Sequence, residues 1–150
     1  MLDIVARLGV PYVAMHMQGT PETMQEAPLY SNVTKDIIAF FEEKINLYKE
    51  KGIKQVILDP GFGFGKTIAH NYQLMAELDQ FMALDFPILV GVSRKSMIYK
   101  LLDCTADEAL NGTIALNTFA LLKGASILRV HDVKAAKEVV KIVEKLNNPK

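Results

Sequence analysis

The sequence predicts an α/β fold in which four parallel strands alternate with helices, amounting to half of a (β/α)8 (TIM) barrel. Three observations lead there. Short apolar runs such as Val56-Ile57-Leu58, Ile88-Leu89-Val90 and Ile127-Leu128 lack polar alternation, as expected of strands covered on both faces. Segments of helical periodicity separate these runs, which implies right-handed crossovers between parallel strands. Each run then empties into polar or charged residues: Asp59, then Ser93-Arg94-Lys95-Ser96, then Arg129-Val130-His131-Asp132. A doubly wound sheet satisfies the first two observations. The third favours a barrel, whose active sites are built at C-terminal strand ends. A complete barrel needs eight strands and typically about 250 residues; the 150 residues here hold half of that and read as one partial-barrel domain spanning residues 1–150.

The elements follow in order. Leu2 to Leu8 with Gly9 behind them read as the last turns of a helix closed by a glycine cap, so the sequence is expected to start within an architecture already under way. Val10 to Met15 is the first strand, and Met17 to Asn32 a long loop rich in Gly, Pro and polar residues. From Thr34, the apolar residues Ile37, Ile38, Phe41, Ile45 and Tyr48 recur at helical spacing until Gly52. Gln55 to Leu58 is the second strand, and a helix is expected over roughly Tyr72 to Met82 before a third strand at Pro87 to Val90. A further helix follows the Ser-Arg-Lys-Ser segment. Thr105-Ala106-Asp107-Glu108 has the form of a capping box that opens a helix running to Lys123-Gly124. Ser126 to Val130 is the last strand, followed by an amphipathic helix carrying Val133, Ala136, Val139, Val140, Val143 and Leu146.

Composition narrows the function. Half of the residues are hydrophobic, enough for a core of ordinary size, and 17 basic residues balance 17 acidic ones. A neutral total gives no electrostatic footprint for nucleic acid or an anionic membrane, so any anion site must be local. One cysteine, Cys104, cannot form an internal disulfide, no apolar run has the length of a membrane span, and no secretory signal opens the sequence. A cytoplasmic location is expected.

The segment Asp59-Pro60-Gly61-Phe62-Gly63-Phe64-Gly65-Lys66 has the architecture of a ligand loop, because it sets a carboxylate at a strand end and lets backbone approach a ligand closely. Gly65-Lys66-Thr67 is not a P-loop, since the glycine that motif needs five residues before Gly65 is replaced by Pro60. The spacing of Gly61, Gly63 and Gly65 also fails the dinucleotide fingerprint. The ordinary use of an aspartate before Pro-Gly is to cap the turn, and that reading of Asp59 stays open.

Five blocks together are specific: Met15-His16-Met17-Gln18-Gly19 with Pro21 and Met24, the Asp59 to Lys66 loop, His70-Asn71, Gly91-Val92-Ser93-Arg94-Lys95-Ser96, and Arg129-Val130-His131-Asp132. In this order they resemble the C-terminal half of bacterial dihydropteroate synthase, which joins a dihydropterin-methyl diphosphate to p-aminobenzoate in folate biosynthesis. The resemblance implies that the strands correspond to the fifth to eighth of the family barrel. It implies substrate contacts at Met15, Asp59, Phe64, Gly91, Ser93, Lys95, Arg129 and His131, with Lys95, Arg129 and His131 in catalytic roles. Asp59 would accept a pterin ring N–H and the amino group beside it. Lys95 would reach the pterin ring, and Arg129 and His131, two apart on an extended segment, would take the diphosphate together with the nearby helix N-terminus. The plain alternatives are Arg129 paired with a neighbouring acid and His131 satisfied by backbone. Met15 and Phe64 would wall the ring, with core packing as the competing use. His16, Lys66, Arg94 and Cys104 have no assigned role.

The family also implies Mg2+, whose main protein ligand comes from the first four strands and has no counterpart here; no metal ligand is expected in this sequence. The mobile loops that close over p-aminobenzoate are likewise without counterpart, so the isolated chain is expected to show little activity, although sulfonamides would compete for its site by resemblance. Two other readings stand beside this one. One is a pterin-binding module like those of methyltetrahydrofolate methyltransferases. The other is a non-catalytic half-barrel that closes its open edges as a homo-oligomer.

Overall fold

The computed structural model describes residues 1–20, 24 and 28–149. Pro21 and part of the expected 17–32 loop lie outside the described residues. The opening helix α1, Leu2–Leu8, ends where Gly9 turns left-handed at φ 64° and its N–H returns to Val5 O and Ala6 O. Strand β1, Tyr12–Met15, follows. Helix α2, Val33–Glu50, starts a residue earlier than the periodicity implied, because the Asn32 side chain accepts the Lys35 N–H and caps it. Its buried stripe, Ile37, Phe41, Ile45 and Tyr48, is the one the spacing marks out.

Strand β2, Val56–Asp59, pairs in parallel with β1 in a register that sets Met15 beside Asp59. Strand β3, Leu89–Val90, pairs in parallel with β4, Ile127–Leu128, and a single parallel bridge between Leu58 and Ile88 joins the two halves. The resulting order β1-β2-β3-β4 follows the chain without the reversal that a doubly wound sheet requires. Strands three and four are shorter than expected, two residues each. The ladder nevertheless continues through Arg129 N–H to Val90 O, so the strand ends stay in step.

Between the strands lie α3, Ile68–Ala76, a 3₁₀ helix at Leu78–Leu84, α4, Ser96–Tyr99, and α5, Leu110–Leu122; α6, Val133–Asn147, follows β4. The helix expected over 72–82 begins sooner and ends by changing type. Thr67 caps α3 by accepting the His70 N–H, while the His70 ring accepts the Thr67 N–H, a capping box with histidine in the usual Glu or Gln position. Thr105 and Glu108 do bond, but not as the expected capping box: they close a turn in front of α5. There the Thr105 hydroxyl donates to Glu108 Oε2 instead of accepting a helix N–H, and the helix itself opens at Leu110.

The core gathers Leu58 and Val90 from the strands and Ile88 and Val92 from either side of β3, with Ile37, Phe41, Leu74, Leu78 and Phe81 from the helical layer, all under 2% exposed. Apolar burial on this scale contributes about 1.5–3 kcal/mol per large side chain. No helix among the described residues is long and apolar enough to cross a membrane.

Candidate active site

The strand ends converge on Asp59, the last residue of β2, whose side chain is fully buried. Its two oxygens have different uses. Oδ1 accepts the Gly61 N–H at 2.9 Å, so the turn-capping reading is correct for half of the carboxylate. Oδ2 lies 2.9 Å from Arg129 Nη1, yet no guanidinium N–H is aimed at it and it has no hydrogen-bond donor. Arg129 is thus paired with an acid, the plainer of its two expected uses. Its guanidinium lies over Gly91, where a Cβ would stand 2.9 Å from Nη2. Gly91 is needed for this close approach, not for its backbone angle.

The glycine loop is fastened from below. Lys66, 3% exposed, meets three acceptors: Gly61 O at 2.9 Å, Phe64 O at 3.0 Å and His16 Nδ1 at 3.2 Å. Burial, with a smaller push from Lys95 against the pull of Asp59, brings the Lys66 pKa down to about 7. Burial and then the Lys66 charge bring His16 down to about 4, which keeps it a neutral acceptor. Asn71 Oδ1 accepts the Gly63 N–H at 2.7 Å. Gly61 itself, at φ 71°, packs so closely on the His16 carbonyl that a Cβ would lie 1.9 Å from it.

Lys95 precedes α4. Its ammonium donates to Phe62 O and sits 4.5 Å from the Phe64 ring centre, and burial lowers its pKa to about 8, with Asp59 opposing and Arg129 adding to the shift. The loop after β3 is zipped to the loop after β4. Arg94, left-handed at φ 54°, forks onto Asp132 through Nε and Nη2 at 2.8 and 2.9 Å, and its backbone N–H donates to Thr113 Oγ1. This fork holds the Asp132 carboxyl below the usual range and occupies it at the start of α6, so no side chain caps that helix. Buried Ser93 accepts the His131 N–H at 3.2 Å and meets His131 Nδ1 at 2.9 Å.

Gly91, Ser93, Lys95, Arg129, Val130 and His131 line one cavity of about 140 Å³. Of the expected site residues, five therefore share a cavity. Asp59 joins it through Arg129 and Phe64 through Lys95. Met15 stands next to Asp59 by register but does not line the cavity. Lys66, His16 and Asn71 support the glycine loop in a way that sequence reasoning missed: all three lie in the blocks that carry the resemblance, but none had a role assigned.

The arrangement can hold a flat group with paired donors at Asp59 and an anion at Arg129, His131 and the uncapped start of α6. Among the described residues no group of three or more His, Cys, Asp or Glu side chains is placed to hold a metal ion.

With this geometry, the profile described as pterin binding enzyme matches residues 1–131, and the chain belongs to that family. Dihydropteroate synthase of Escherichia coli (strain K12) is 47% identical over 145 residues, covering 95% of this chain and 51% of that protein. The Haemophilus influenzae enzyme is 46% identical over 143 residues, covering 94% and 52%. Among solved structures, Yersinia pestis dihydropteroate synthase with a sulfonamide drug superposes with a TM-score of 0.96 at 44% identity, over 99% of this chain and 55% of that one. The Thermus thermophilus enzyme in complex with 4-aminobenzoate gives 0.93 at 40% identity, over 98% and 59%. The chain spans about half the length of the curated relatives it matches.

Proposed function

We propose that residues 1–150 form the half of a (β/α)8 barrel that corresponds to strands five to eight, and that it carries the pterin and diphosphate contacts of a dihydropteroate synthase site. The sequential parallel order of β1 to β4 supports the barrel, as do the exposed apolar residues Val13 on β1 and Ile127 on β4, one on each outer strand. A further four strands close such a barrel, and they are the counterpart of the half of each relative that this chain does not match.

One observation carries the site assignment: a fully buried carboxylate, one oxygen of which has no hydrogen-bond donor, is charge-paired with Arg129, which lines a cavity together with Lys95 and His131. The pterin ring N–H and amino group would fork onto Asp59, with Lys95 hydrogen-bonding the ring and Phe64 beside it. The C–O bond to diphosphate breaks and the p-aminobenzoate nitrogen forms the new C–N bond, losing its proton to solvent. Charge that gathers on the leaving diphosphate is met by Arg129, His131 and the free N–H groups of α6. No step is routed through magnesium, whose main protein ligand in the family would come from the half of the relatives that these residues do not match. p-Aminobenzoate and sulfonamides would share the second-substrate position beside Lys95.

The cavity and its two zipped loops favour this reading over a pterin-binding module without diphosphate chemistry, which has no use for an anion pocket. Calorimetry with 6-hydroxymethylpterin tests it: saturable binding that Asp59→Asn removes is expected. Absence of binding, or binding unchanged by that substitution in a folded chain, overturns it.

A further inference from the structure

The glycine loop supplies both contacts that locate the Lys95 ammonium, the Phe62 carbonyl and the Phe64 ring. That loop is itself pinned at Gly61 O and Phe64 O by one buried amine. We propose that Lys66 is a positioning residue of the substrate site, its ammonium clamping the loop to His16 at the end of β1 and so fixing where Lys95 points.

Three acceptors around Lys66 match the three N–H bonds of an ammonium, and at 3% exposure water has little access to replace one. A neutral amine has only two N–H donors, so deprotonation removes one anchor. The groups that face Lys66 come from every side of it. His16 approaches from β1, Asp59 from β2 and Lys95 from the loop after β3. The Tyr30 ring lies 6.0 Å away, its hydroxyl donating to Gly65 O and kept neutral up to about 12 by burial and Asp36. The His70 ring packs edge-on against Tyr30. With Lys66 titrating near 7 and His16 near 4, the clamp changes state in a window where His16 does not. Burial also lowers Lys95, to about 8, and its charge opposes that of Lys66.

The inference rests on the synthase reading, but its main readout needs no ligand. In NMR of the full chain, the Lys95 ε-methylene protons should be shielded by the Phe64 ring. The Gly61 to Gly65 amides should shift with pH at the same midpoint as Lys66 Nζ. Lys66→Met should abolish the Lys95 shielding, speed loop amide exchange about tenfold or more, and weaken 6-hydroxymethylpterin by about tenfold, the scale of one lost charge-assisted hydrogen bond. Loop amides that stay flat through the Lys66 midpoint overturn the clamp, and this wild-type measurement decides the matter if Lys66→Met does not fold. A loosened loop with Lys95 shielding and pterin affinity intact makes Lys66 merely structural, which also overturns the proposal. A wild-type chain that binds no pterin defeats the synthase reading and leaves the Lys95 shielding to judge the clamp.

Discussion

Arg129 and Asp59 stand 2.9 Å apart across the sheet in a pairing of charge without a hydrogen bond, since no N–H of the guanidinium is directed at Asp59 Oδ2. The cation offsets the cost of a buried carboxylate while its acceptor capacity stays open. On the proposed function, a ligand offering parallel donors would satisfy that oxygen and weaken the hold on Arg129, so pterin and diphosphate binding would be linked through one ion pair.

Asp59→Asn should therefore act in opposite senses on two ligands. Pterin affinity should fall by about 1–3 kcal/mol, because an amide N–H replaces one acceptor and leaves a ligand donor unpaired. Diphosphate affinity should rise, because Arg129 loses its internal partner. Calorimetry with each ligand separately checks this, and equal losses for both would point to misfolding.

Arg129→Ala should weaken diphosphate binding and flatten its salt dependence, since a localised charge contact is removed. In an NMR titration the largest shifts should fall at residues 91–95 and 129–134. Shifts concentrated elsewhere would move the anion site out of this cavity.

Two glycines should respond differently to alanine. Gly61→Ala puts a Cβ 1.9 Å from a backbone carbonyl at φ 71°, and should cost about 3 kcal/mol or more of stability in urea unfolding. Gly91→Ala meets only the movable end of Arg129, at 2.9 Å. It should leave stability within about 1 kcal/mol and reduce diphosphate affinity.

Acid should destabilise the chain through His16. Its pKa is about 4 when folded against 6.5 for the free side chain, so between these values the unfolded chain binds a proton that the folded chain refuses. Stability is then lost as pH falls from 6.5 towards 4, by up to about 3 kcal/mol. Lys66 acts in the same direction higher up, its folded value of about 7 against 10.5 making stability rise with pH across that interval. Urea unfolding at several pH values should show the acid loss in the native chain and much less of it in His16→Asn.

On the proposed function, residues 1–150 by themselves should form dihydropteroate far more slowly than a full-length relative, because they match only about half of each. A rate comparable with a full-length relative, in protein free of host enzyme, would contradict this.

The strands and the polar residues at their ends were legible because apolar runs that stop at a charge are local patterns. Asp59, Arg129 and His131 fell out of that rule. The partnership of Arg129 with Asp59 did not, since it depends on strand register and on Gly91 leaving room above the sheet. Lys66 was hidden for a similar reason: one of its partners, His16, is 50 residues away. The start of α3 was missed because its capping box uses His70, whose ring nitrogen does the work expected of a carboxylate or amide.

Ser93 has a single hydroxyl hydrogen, and its oxygen already accepts the His131 backbone N–H. Ser93 Oγ also stands 2.9 Å from His131 Nδ1, a contact whose direction follows the tautomer of the ring. Where the hydroxyl gives its hydrogen to Nδ1, the ring proton is left on Nε2 and the far edge of the imidazole offers a donor. One buried alcohol would then bias which edge the imidazole presents, and a Ser93→Ala chain would hand that bias back to solvent.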